Sequence, residues 1–192
     1  MRAARVRLDH DATAIRPTDP RDAEAYLALR HANREHTTPW EPSRDPSFFT
    51  LAGQALELDL DAQAWAAGSA YAFAILDAAR GDRLVGRIAL ANVVRGAWQN
   101  ATLGYWIDKD SVGQGHASRA VRLALAYAFD HVGLHRVQPA IIPRNSASKR
   151  VAQKVGFRHE GRALRYLKIN GVWEDHDIYA LTSEDWQAMQ AR

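Results

Sequence analysis

Between Leu103 and Gly133 the chain reads LGYWIDKDSVGQGHASRAVRLALAYAFDHVG, an apolar strand that passes through a glycine-rich turn directly into a helix. Helical spacing puts Ala117, Val121, Ala124, Leu125, Ala128 and Val132 on one buried face, with Ser118, Arg119, Arg122 and Asp130 mostly off it. Gly133 is the natural stop. A helix-length connection commits the next strand, Arg136 to Ile142, to run parallel to the one before. Glycines 113 and 115 allow main-chain N–H groups to converge on the positive end of the helix, where phosphate oxygens bind without a basic side chain. The lysine of a Walker loop is absent, as are the third glycine and acidic ribose ligand of a dinucleotide fold. A tight structural turn is the other reading of such a loop.

The rest of the chain supplies a sheet and its cover. Thr13 to Arg16 reads as a strand, and a capping residue ahead of Pro20 opens a helix that runs to about Asn33. His31 to Asp45 is loop-like. A second helix is expected over Ser47 to Ala67, burying Phe48, Leu51, Ala55, Leu58 and Ala62. Ala70 to Asp77, Leu84 to Val94 and Asn100 to Asp108 form an antiparallel meander. Pro139 would cost a fully paired strand a ladder bond, so it argues for an open edge there. Asn145 is a plausible N-cap for a helix that Gly156 ends, Asn170-Gly171 signals a type I′ hairpin, and Ser183 caps a terminal helix. The expectation is an α+β fold with a mixed, largely antiparallel sheet of about seven strands and helices on both faces.

Length and composition narrow the class. At 192 residues the chain reads as one domain, 1–192, large enough to bury about 70% of its unfolded surface. It has no cysteine, which removes disulfides, thiolate zinc sites and cysteine nucleophiles. The eight histidines form no helical i, i+4 pair with a glutamate, so no metal site is expected. No long apolar run or signal-peptide pattern is seen, so a cytoplasmic protein without a membrane role is expected. The net charge of +3 is mild and its arginines are scattered, so direct nucleic-acid binding is not expected.

Taken together, several segments resemble the GNAT superfamily of acetyl-CoA-dependent N-acetyltransferases. Val112 to Ala117 fits that superfamily's Q/R-x-x-G-x-G/A loop except at its first position, where Val112 stands. Thr38 to Pro42 (TPWEP), LGYWID, Leu134 to Phe157 and Glu160 to Leu181 are similar to the RimJ/RimL branch, which acetylates ribosomal-protein N-termini. The resemblance implies a splayed parallel strand pair into which the pantetheine arm of acetyl-CoA inserts. It implies a pyrophosphate cradle from the backbone of Gln114, Gly115, His116, Ala117 and Ser118, with the main chain of Trp106 and Ile107 along the arm. It gives Asn145 a cofactor contact and Ser148 the role of proton donor to the departing thiolate. Helix capping is the ordinary alternative for both.

Acetyl transfer also needs an oxyanion donor, for which the Ile107 N–H is a candidate, and an unprotonated amine. In RimL-like relatives a glutamate precedes the LGYW strand; Thr102 stands there in this chain. Glu41, Asp175 and His176 are the candidate substitutes, with a surface role or cross-strand pairing as their alternatives. The missing carboxylate bears on substrate, because an α-amine deprotonates about 2.5 pK units below lysine, worth roughly 3.5 kcal/mol at neutral pH. A protein N-terminus, of a ribosomal protein beginning with alanine by resemblance, is therefore the first expectation for the acceptor. A polycationic small molecule such as an aminoglycoside or polyamine is the second, and would call for an acidic cleft. A non-catalytic acyl-CoA sensor or ribosome-assembly factor is the third. The chain is expected to be a monomer or homodimer.

Overall fold

The computed structural model describes residues 6–191. Strands β1 (Leu8–His10), β2 (Thr13–Pro17), β3 (Tyr71–Asp77), β4 (Arg83–Val94) and β5 (Asn100–Ile107) pair antiparallel in chain order. Helices α1 (Ala23–Ala32), α2 (Arg34–Thr37) and α3 (Leu51–Ala67) come between β2 and β3. Helix α4 (His116–Ala126) then crosses to β6 (Arg136–Gln138), parallel to β5. β7 (Ala140–Ile141), α5 (Ser146–Val155), β8 (Arg158–Ile169), β9 (Val172–Thr182) and α6 (Ser183–Gln190) complete the described chain.

Strand alternation distributes the core between two faces. Tyr71, Phe73 and Ile75 of β3 join Val121 and Leu125 of α4, Val155 of α5 and Trp186 of α6. The intervening Ala74 and Leu76 pack with Tyr26 of α1 and Leu58 of α3. Helices thus cover both faces. Phe73, Ile75 and Leu125 have no exposed surface, and each such side chain contributes about 1.5–3 kcal/mol by leaving water.

The sheet opens where the proline argues it should. β5 and β6 pair only through Asn100↔Arg136, Ala101↔Val137 and Thr102↔Gln138. Pro139 follows, and its carbonyl accepts from Tyr179 N of β9. β7 then pairs with Ile178 and Asp177 of β9 instead of β5. Beyond Thr102, β5 has no strand on this side.

Several local expectations need correction. The sheet has nine strands rather than seven, because Pro139 divides one strand in two and polar Leu8–His10 adds a short edge. Residues Pro46–Phe49 form a separate 3₁₀ turn, and α3 begins after Thr50, whose hydroxyl accepts from Gly53 N. α3 turns Gln54 and Leu58 inward and leaves Leu51 45% exposed, since the side chain of Gln54 is tied to the Phe48 carbonyl at 2.6 Å. Ala62 is likewise exposed. Thr182, not Ser183, caps α6, in a reciprocal box with Asp185. The hairpin turn is as read, with positive φ at both Asn170 and Gly171.

Candidate active site

The loop before α4 is shaped to receive an anion. Gly113 and Gly115 both have left-handed backbones, at φ +82° and +84°. Gly115 is the N-cap of α4 and offers no side chain, and the first helical bond is Arg119 N to Gly115 O at 3.1 Å. The amides of His116, Ala117 and Ser118 therefore lack an intrahelical acceptor. A Cβ on Gly115 would come within 2.8 Å of Arg119 Nη1. That arginine braces the loop, donating to the Gln114 carbonyl at 2.9 Å and to Asp11 at 3.2 Å. Gln114 in turn ties its side chain to the Asp110 carbonyl at 3.0 Å. The free first-turn amides of residues 116–118 suit a phosphate group.

The side chain of His116 faces the other way. It is 2% exposed, with Nδ1 2.8 Å from Thr13 Oγ1 and Nε2 3.7 Å from Asp77. Burial lowers its pKa, against the opposing pull of Asp77. Only its main chain is available to a ligand in the loop.

From the loop a cavity of about 830 Å³ passes the open edge of β5 and emerges on the opposite face of the sheet. Asp108 N donates to Val85 O of β4 at 2.8 Å; alternation sends the preceding amide, Ile107, to the open edge. Trp106 departs from expectation. Its carbonyl turns toward Gly86 of β4, where an added Cβ would meet it at 2.3 Å, so it gives the cavity wall its indole instead of its main chain. Across the slot, Asn145 caps α5 by accepting the Ser148 N–H at 3.0 Å, and Ser148 keeps its hydroxyl out of the cap. Both residues line the cavity. Sequence reasoning missed two polar neighbours on that lining, the hydroxyls of Tyr105 and Ser111, which are buried without a hydrogen-bond partner. Burial pushes the Tyr105 phenol up to about 12, a shift that adjacent Ser148 moderates.

On the far face, Thr102 points into the cleft but is spoken for, donating to the Ala91 carbonyl and accepting from Asn92 Nδ2, both at 3.1 Å. Of the three candidate substitutes only Glu41 lines the cavity. Asp175 accepts from Arg165 N at 2.8 Å, and His176 is 2% exposed with Nδ1 bonded to the Glu174 carbonyl. Both belong to the hairpin's own structure. Glu41 takes two 3.1 Å bonds from Arg30, whose guanidinium lies 4.2 Å from the Trp106 ring centroid. The hairpin turn reaches this corner as well. Asn170 N donates to the Glu41 carbonyl at 3.1 Å, and Arg144 joins Glu174 at 2.7 Å to the Pro39 carbonyl at 3.3 Å.

A helix N-terminus with free amides, an open parallel edge and a cleft through the sheet are the features of an acyl-CoA-dependent N-acetyltransferase. The chain belongs to the GNAT acetyltransferase family, whose model, described as "Acetyltransferase (GNAT) domain", matches residues 13–158. Members of this family use acetyl-CoA. The chain is 39% identical over 171 residues to "Probable N-acetyltransferase YjcK" of Bacillus subtilis, covering 89% of this chain and 94% of the relative. It is 34% identical over 182 residues to "[Ribosomal protein uS5]-alanine N-acetyltransferase" of Escherichia coli, covering 95% and 93%. Mycobacterium smegmatis RimJ, solved in complex with CoA-disulfide, superposes with a TM-score of 0.86 at 32% identity, covering 90% of this chain and 83% of that one. Among the described residues no helix is long and apolar enough to cross a membrane.

Proposed function

We propose that the protein transfers acetyl from acetyl-CoA to the α-amine of a protein N-terminus, of the ribosomal-protein-alanine kind named for its Escherichia coli relative. The observation that carries this reading is that, among the described residues, no unpaired carboxylate lines the cleft. The one carboxylate that lines the cleft among the described residues, Glu41, is already paired with Arg30, and Thr102 is engaged with the strand beside it. An α-amine tolerates this because it reaches its neutral form roughly 2.5 pK units below lysine. The wall facing Glu41 carries Arg30, Arg44 and Arg87, which disfavours an aminoglycoside or polyamine.

The bound acetyl-CoA supplies an activated acyl group. The chain's own residues do the rest. The Ile107 amide, at the open edge, donates to the carbonyl oxygen that gains charge. Glu41 receives the incoming amine. The Ser148 hydroxyl, free of capping duty, passes a proton from the acylated nitrogen toward the sulfur, with the protonated Tyr105 phenol behind it. That transfer balances without an external base. Calorimetry with acetyl-CoA followed by mass spectrometry of a peptide panel tests the reading. Acetylated alanine-led peptides are the expected product; transfer only to polyamines, or binding without transfer, would refute it.

A further inference from the structure

Three guanidiniums share the acceptor half of the cleft, and one of them is not neutralised. Arg30 faces Glu41 at 3.1 Å and Arg87 faces Asp61 at 2.5 Å. Arg44 lines the same cavity, yet among the described residues no carboxylate pairs with it. Its guanidinium lies 4.6 Å from the Phe48 ring centroid, and that of Arg30 lies 5.2 Å from the same centroid, so one ring serves two cations. The crowding is felt at Arg30, whose pKa is depressed by burial first, and by Arg44 and Arg87 against the opposing Glu41. A cleft wall of this kind attracts anions. The group to be acetylated is an amine, which gains nothing from it. The field is built for something else on the acceptor.

We infer that the acceptor carries a carboxylate a short distance from its reactive amine, and that Arg44, held over Phe48, binds it. The inference rests on the amine-acetylation reading and narrows the acceptor to peptides with aspartate or glutamate among their first residues. Arginine suits the task because its planar fork meets a carboxylate through two parallel hydrogen bonds. An extended peptide advances about 3.3 Å per residue with alternating side chains, so the test carries the acid through the second to fifth residues in turn. The same field disfavours the ammonium form of the acceptor and so favours the neutral amine, which offsets the lack of a free carboxylate base.

The test uses the full chain, acetyl-CoA and alanine-led peptides that differ only in glutamate or glutamine at one of those positions. Wild type should favour glutamate by about tenfold in kcat/KM at the preferred position, and the preference should shrink as salt is raised. Arg44→Gln should abolish the preference, and Arg44→Glu should favour lysine there instead. Arg44 is exposed, so both variants should fold, which their melting temperatures check. Equal turnover of glutamate and glutamine peptides by wild type overturns the inference and leaves N-terminal acetylation standing. A preference that survives both substitutions overturns the assignment to Arg44. Transfer to free glutamate instead of any peptide would move the carboxylate to the acceptor's own α-carbon and overturn the peptide reading, and no transfer to any acceptor overturns both readings.

Discussion

Ser148 and Asn145 show how one hydrogen bond divides two roles that the same short motif allows. Because the Asn145 side chain accepts the Ser148 N–H, capping belongs to Asn145 and the Ser148 hydroxyl is free for chemistry. Asn145→Ala should cost about 1 kcal/mol of stability. Ser148→Ala should leave the melting temperature nearly unchanged while lowering kcat by roughly 10²-fold, with little effect on acetyl-CoA affinity by calorimetry. A loss of turnover under about threefold would leave the proton to solvent. His116 sets a different expectation at this scale. Burial holds its folded pKa below the ordinary histidine value, so the unfolded chain binds the proton more readily. Its contribution to stability is complete above that unfolded value and declines as pH falls through it toward the folded pKa. Denaturant titrations at pH 7.5 and 5.5 should show a drop that His116→Gln reduces; an equal drop in the variant would assign the acid sensitivity elsewhere.

Elements, in this molecule, are joined at the site by residues with little sequence signature. Asn33, with no exposed surface, ends α1 and ties it to the β5 exit. Its Nδ2 donates to the Leu29 carbonyl and to Asp108 Oδ1 at 2.9 Å each, and its Oδ1 accepts from Lys109 N at 2.7 Å. Asn33→Ala should destabilise by about 2–4 kcal/mol, since it leaves a buried carboxylate and amide short of partners. It should also raise KM for acetyl-CoA, because Asp108 directly follows Ile107; unchanged KM would uncouple this junction from the slot. The strand, loop and helix of the cradle were legible in the sequence because their residues are consecutive and their periods distinct. Pro139 was legible for a similar reason, as one residue with one consequence. The arginine wall was not, since Arg30, Arg44 and Arg87 lie on a helix, a loop and a strand that only tertiary packing brings together. Tyr105 and Trp106 needed strand parity to separate the slot from the acceptor face. The buried side of α3 was read rightly at Leu58 and wrongly at Leu51 and Ala62, because Gln54 satisfies its amide inside while Leu51 points to solvent.

As a whole, the molecule is a sheet in two parts with the cleft between them. β1 to β5 with α1 and α3 form one part, and β7 to β9 with α5 the other. β6 bridges them, pairing with β5 at three positions and with β9 through Arg136↔Thr182 and Val137↔Leu181. A polar arm laid along the open edge of β5 would satisfy main chain that no strand reaches, and so knit the two parts together. Acetyl-CoA at a hundredfold excess over Kd should stabilise the fold by about 2.7 kcal/mol, raising the melting temperature by roughly 5–10 °C for a domain of this size. Hydrogen exchange should localise the gain, with new protection at Tyr105 and Ile107 exceeding any at the already buried Phe73 and Ile75. Gly115→Val serves as the comparison. It puts a branched side chain at φ +84° and against Arg119, so the variant should melt cooperatively yet lose the acetyl-CoA shift. An equal shift in Gly115→Val would remove the loop from the cofactor site, and a shift without protection at Ile107 would move the arm out of the slot.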